Sequence, residues 1–116
     1  MSRRVELQLF SPNTALASTA VVTSVALSMV RVSGELAIML SMTGTTPDVK
    51  VEAKFGDGNG NFSAASTVVA NQTGVAVHRI PMIPVLGPEV QIIITGNAGN
   101  SADTVLTRST LVLGED

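Results

Sequence analysis

The chain of 116 residues has room for one domain, which at this size buries roughly two-thirds of its unfolded surface without disulfides or metals. It has no Cys, which excludes a disulfide framework, a thiolate nucleophile and a cysteine metal cluster. Seven Lys and Arg against nine Asp and Glu, with three Phe, no Tyr and no Trp, leave neither the basic face nor the stacking aromatics of a nucleic-acid binder.

At the N-terminus Arg3 and Arg4 are followed by Glu6 and Gln8, where a secretory signal needs a continuous apolar stretch. Val5, Leu7 and Leu9 alternate with polar neighbours, the period of a half-buried strand. Two readings of residues 1–19 stand side by side. One is an arm in which Val5, Leu7, Leu9 and Phe10 add a strand to another subunit's sheet edge; the other is the edge strand of the chain's own sheet. From Ser11 to Val30 there is no charge, a length that invites a membrane span. Pro12, Asn13, Ser18, Thr19, Thr23 and Ser24 interrupt it, and Val and Thr favour strand over helix, so no span is expected.

Val21 to Val32 and Glu35 to Met42 read as strands buried on both faces. After the turn Thr43 to Asp48, Val49, Val51, Ala53 and Phe55 alternate with Lys50, Glu52 and Lys54, a strand with one wet face. Gly56 to Asn61 is the next turn, and Asp57-x-Asn59-x-Asn61 has the spacing that presents oxygens to calcium. A calcium loop also needs Gly at its sixth position and Glu at its twelfth, where Phe62 and Val68 stand. The same residues suit a tight hairpin, which is the preferred reading.

Ser66 to Ala70 and Val75 to Ile80 are shorter strands about the turn Asn71 to Gly74. His78, the single imidazole, has no accompanying nucleophile motif and reads as a strand-surface or interface residue. Pro81 to Pro88 has too few backbone donors for mid-sheet and is expected to cross between sheets, with Met82, Ile83, Val85 and Leu86 forming a sticky contact surface. Val90 to Thr95 and Thr104 to Leu113, two further strands read as buried on both faces, and the turn Gly96 to Asn100 complete the chain. About eight strands with short turns and little or no helix predict an all-β, antiparallel β-sandwich, jelly-roll-like or Ig-like, with its turns read as hairpins.

Asp48, Glu52, Asp57, Glu89 and Asp103 form no evident acid pair, and neither glycine-rich turn opens a helix that would hold phosphate. No catalytic residue and no cofactor are predicted.

Two stretches, T-G-T-T-P-D-V-K-V-E-A-K-F-G-D-G-N-G-N-F from Thr43 to Phe62 and Q-I-I-I-T-G-N-A-G-N-S-A-D-T from Gln91 to Thr104, resemble the small β-sandwich virion structural proteins of tailed bacteriophages. The resemblance implies a non-enzymatic capsid decoration (cement) protein or an accessory protein of the virion. Its implied partners are the major capsid protein or another virion component and further copies of itself, a trimer favoured. Composition agrees, since 45% hydrophobic against 14% charged residues is an apolar balance that suits surfaces buried between chains. The alternative is a carbohydrate-binding or host-adhesion module with a ligand site near Asp57, Asn59, Asn61, Asn97 and Asn100.

Overall fold

The computed structural model describes residues 3–29, 32–82 and 88–115, and every regular element in them is a strand. In chain order these are β1 (Arg3–Gln8), β2 (Thr14–Ala15), β3 (Val21–Thr23), β4 (Leu27–Ser28), β5 (Val32–Thr43), β6 (Asp48–Gly56), β7 (Ser66–Thr73), β8 (Val77–Pro81), β9 (Glu89–Gly96) and β10 (Val105–Glu115). They form two antiparallel sheets. Sheet A has the order β1-β10-β5-β8 with β2 also on β10; sheet B has the order β3-β9-β6-β7 with β4 also on β9.

The pairings are nested: β6 with β7, β5 with β8, β3 and β4 with β9, and β1 with β10. One long antiparallel ribbon is thus folded over itself and closed by β10–β5 and β9–β6. This winding is a jelly roll, which settles the choice left open between jelly-roll-like and Ig-like sandwiches.

Alternation puts one face of each sheet inside. Leu36, Ile38, Leu40 and Met42 of β5 and Leu106, Leu111 and Leu113 of β10 meet Val49, Val51, Ala53 and Phe55 of β6 and Val90, Ile92 and Ile94 of β9. On β6 the outward side chains Asp48, Lys50, Glu52 and Lys54 are half-buried, as the wet-face reading requires.

Three expectations are corrected. The run Val21 to Val32 is not one strand buried on both faces: β3 and β4 take only short pieces of it, and Val21 and Val25 are 58% and 73% exposed. They lie at the edge of sheet B, where no further strand covers them. Asn71, Gln72 and Thr73 are not a turn but the end of β7: Gln72 and Thr73 pair with Val49 and Asp48 of β6, and Asn71 falls at the bulge before them. Most turns are not hairpins either. Among the described residues only 57–65 joins strands paired to each other, β6 to β7, whereas 44–47, 74–76 and 97–104 carry the chain from one sheet to the other. β8 belongs to sheet A and β9 to sheet B; of the Pro81 to Pro88 segment expected to cross between sheets, residues 83–87 lie outside the described residues.

Fully buried Ile92 sits in mid-β9, so Ile92→Ala should lose about 2–5 kcal/mol in urea denaturation. Val25→Ala, at a position 73% exposed, should stay within about 0.5 kcal/mol of the parent.

Candidate binding surfaces

The crossings between sheets bring the segments 9–20, 44–47, 74–76 and 97–104 to one end of the sandwich. Their backbone polar groups no longer have ladder partners there, and side chains supply them. Asn100, 6% exposed, accepts from the Asp48 amide (3.0 Å) and the Thr104 hydroxyl (2.7 Å), and donates through Nδ2 to the carbonyls of Leu16 and Ser18 (both 2.8 Å). All the hydrogen-bonding capacity of its amide is used.

Asn97 donates to Asp48 Oδ1 and to the Ala70 carbonyl (both 2.9 Å), tying the 97–104 segment to β6 and β7. Asp103 accepts from the Thr45 amide (3.0 Å) and hydroxyl (2.8 Å), and Thr46 donates its amide to Ser101 Oγ (3.1 Å). The Thr45 amide, then the Ser101 and Thr45 hydroxyls, hold the Asp103 carboxyl down to about 2. Gly96 permits the closest approach: a Cβ there would lie 1.7 Å from the Ser18 carbonyl oxygen. A shallow depression of 390 Å³ remains at this end, lined in part by Thr45, Thr46, Pro47, Asp48, Val75 and Gly99.

Asp57, Asn59 and Asn61 lie at the far end of β6. Asp57 Oδ1 accepts from the amides of Asn59 (2.8 Å) and Asn61 (3.2 Å), and Oδ2 accepts from Asn61 Nδ2 (2.8 Å). Gly58 and Gly60 take φ of +87° and +90°, the left-handed geometry such a turn uses. Bonding to Asn61 and Asn59 lowers the Asp57 carboxyl below the usual range. The three residues therefore hold the loop together by bonding one another, and no group of three or more His, Asp or Glu suited to a metal occurs among the described residues.

The expected ligand cluster is not assembled. Asp57, Asn59 and Asn61 stand one β6 length, roughly 26 Å at the usual rise per residue, from Asn97 and Asn100. The aromatic residues give no platform either: Phe55 is in the core, and Phe62 packs so close to Gly56 that a Cβ there would be 2.7 Å from its ring.

Val5, Leu7 and Phe10 pack against the chain's own core, and Leu9 is part of it. β1 pairs with β10 at the edge of the chain's own sheet A. Met82 also packs on the core; Ile83, Val85 and Leu86 lie outside the described residues. His78 is half-buried and bridges β8 to the end of β7. Its Nε2 lies 2.9 Å from the Gly74 carbonyl, which can only accept, so that nitrogen carries the proton and Gln72 Nε2 donates to Nδ1 (3.0 Å).

The outer faces differ. On sheet B, Lys50, Glu52 and Lys54 lie beside Thr95, Ile93 and Gln91. On sheet A, the cross-strand rows are Val112, Ala37 and Pro81, then Thr110, Met39 and Arg79, then Arg108, Ser41 and Val77. A 120 Å³ depression lies among them, with the exposed Glu6–Arg108 pair (3.3 Å) at its border.

Sequence reading missed the Asn100 and Asp48 network. Its signal is a polar, glycine-bearing segment, G-N-A-G-N, set directly after the buried run of β9.

Asn100→Ala leaves the carbonyls of Leu16 and Ser18 and the Asp48 amide without this partner, and should cost about 2–4 kcal/mol by chemical denaturation. Asp103 stabilises the fold above its unfolded value of 3.8 and loses that contribution as pH falls toward about 2. The melting temperature of Asp103→Asn should therefore lie below the parent's at pH 6 and converge with it near pH 2.

No protein-family model and no curated protein matches the sequence. Among solved structures, the chain is similar to a chain of the IBDV viral particle, at TM-score 0.58 and 13% identity, over 97% of this chain and 31% of that one. It is also similar to the CBM22-1 xylan-binding domain from Paenibacillus barcinonensis, at TM-score 0.51 and 13% identity, over 97% of this chain and 94% of that one. A third similarity is to dimeric latent PorU from Porphyromonas gingivalis, at TM-score 0.50 and 15% identity, over 99% and 13%. The chain spans about a third of the particle chain that it matches. At these identities the likeness is one of fold: a β-sandwich built on jelly-roll lines, of a kind found in a viral particle and in a carbohydrate-binding domain.

Proposed function

We propose that the protein is a non-enzymatic structural component of a virion, a capsid decoration or cement protein that assembles with copies of itself and binds the outer surface of the shell. The observation that carries this reading is the jelly-roll winding itself, shared over 97% of the chain with a chain of a viral particle.

The surfaces are compatible with such a task. A cement protein needs a rigid platform, because loops already fixed before binding lose little entropy on docking. The loop end is fixed in this way by Asn100, Asn97 and Asp103. Its exposed Thr45, Thr46, Ser18 and Thr19 offer hydrogen bonds without the cost of burying an ion. We place the shell contact there, with a trimer as the favoured assembly.

A second reading is a carbohydrate-binding or adhesion module, favoured by the likeness to nearly the whole of a xylan-binding domain. The separation of Asp57 and Asn59 from Asn97 and Asn100 and the occupied positions of Phe55 and Phe62 speak against the ligand site first expected for it.

Purified protein should co-sediment with undecorated capsids and appear at regular lattice positions by electron microscopy. Absence of binding to any head or tail component, together with a positive glycan array, would replace the first reading by the second.

A further inference from the structure

Four valines are the large hydrophobic side chains most exposed among the described residues: Val21 (58%), Val25 (73%), Val75 (58%) and Val77 (66%). They divide two and two between opposite flanks of the sandwich. Val21 and Val25 belong to the flank where β3 and β4 edge sheet B and β1 edges sheet A. Val75, in the crossing 74–76 at the loop end, and Val77, on the outer row of β8, stand at the margin of the flank where β7 edges sheet B and β8 edges sheet A, two strands pinned together by the Gln72–His78 and His78–Gly74 bonds.

Charge has the same distribution. Residues 7–29, which build the first flank beyond β1, contain no Asp, Glu, Lys or Arg, and neither do residues 58–78, which run through β7 to the middle of β8. The strands that edge sheet A do carry charge, Arg3, Arg4 and Glu6 in β1 and Arg79 in β8, so the uncharged stretches are those at the edges of sheet B.

The strand edges make the point independently. An exposed edge strand is a template for pairing with another chain, and natural proteins guard it with lysines, other charges or proline. β7 presents eight residues, Ser66–Thr73, with none of these; bulges interrupt its pairing to β6, but its open side is unguarded by charge. β3 and β4, at the opposite edge of the same sheet, carry no charge or proline either.

We propose that the two flanks are complementary halves of one heterologous interface, through which each copy of the chain binds a second copy side by side. The strand directions allow it. Along sheet B the order β3-β9-β6-β7 is antiparallel throughout, so β7 runs opposite to β3. A neighbour in the same orientation then sets its β3 and β4 antiparallel to β7, sheet B continues from subunit to subunit, and both valine pairs border the same kind of contact. Extents of 42 × 29 × 21 Å give each flank room for the ~800 Å² per partner of a standard interface. Heterologous contacts close into a ring when the rotation between copies permits. The inference deepens the oligomer part of the reading above and is tested without any shell, so its failure is separate from a failure of shell binding.

The experiment is sedimentation-velocity mass determination over a concentration series. The parent should sediment at a multiple of 11.9 kDa. The double variants Val21→Asp with Val25→Asp, and Val75→Asp with Val77→Asp, should each fall to one protomer mass while keeping the parent's far-ultraviolet circular dichroism. An equimolar mixture of the two variants should recover a dimer and nothing larger, because each supplies the flank that the other has lost. A monomeric parent, an effect from one flank alone, or a mixture that stays monomeric would each overturn the proposal.

Conservative cysteine variants guard against misfolding of the aspartates, since the chain has no Cys of its own. Under mild oxidation Val21→Cys and Val75→Cys should each remain uncrosslinked alone and crosslink to each other when mixed. Crosslinking within either variant alone would point to like flanks meeting and sink the heterologous contact.

Discussion

Everything in this fold depends on how the chain is allowed to leave one sheet and enter the other. A jelly roll sends successive strands to opposite sheets, so the backbone at the crossings gives up its ladder partners while still close to an apolar interior. At the loop end Asn100 answers that constraint. It bonds the Leu16 and Ser18 carbonyls, the Asp48 amide and the Thr104 hydroxyl, joining the segment after β1, the start of β6 and the approach to β10. No other side chain of that size presents two donors and an acceptor with two lone pairs in one plane without also burying a charge. Gly96 and Gly44 are needed for the same reason, because a Cβ at either would meet the backbone of Ser18 or Thr104.

The consequence is a molecule whose polar residues serve the fold before anything else. Asp48, Asp57 and Asp103 are the acids that an enzymatic or metal-binding reading would reach for, and each accepts hydrogen bonds from loop residues, Asp57 from its own loop and Asp48 and Asp103 from loops that pack beside them. What is left for partners is surface: a fixed loop end, one face with a charged centre, one face mixed, and two flanks whose sheet B edges carry no charge. The functional reading proposed above therefore rests on surfaces.

Legibility in the sequence followed the strength of the local signal. β6 could be read because Lys50, Glu52 and Lys54 mark its wet face between Val49, Val51 and Ala53. The Asp57 turn could be read because Asn, Asp and Gly have local chemistry that needs no tertiary partner. Val21 to Val32 was misread since an uncharged Val and Thr run looks the same whether it is covered by a sheet or left bare at an edge. The hairpin reading failed at 44–47 and 97–104 for a related reason: a short loop between apolar runs carries no mark of whether the next strand pairs with the last or faces it across the core.

The sequence by itself determined that the chain is all-β, without disulfides and poor in charge, because each of these follows from composition and from period-two alternation. Only the tertiary structure decided the jelly-roll order, the separation of Asp57 from Asn97 along β6, the packing of Val5 and Leu9 on the chain's own core, and the placing of four bare valines on two flanks. Those are relations between residues far apart in the chain, set by which strand edges meet, and strand pairing is chosen by the whole packed interior rather than by any local run.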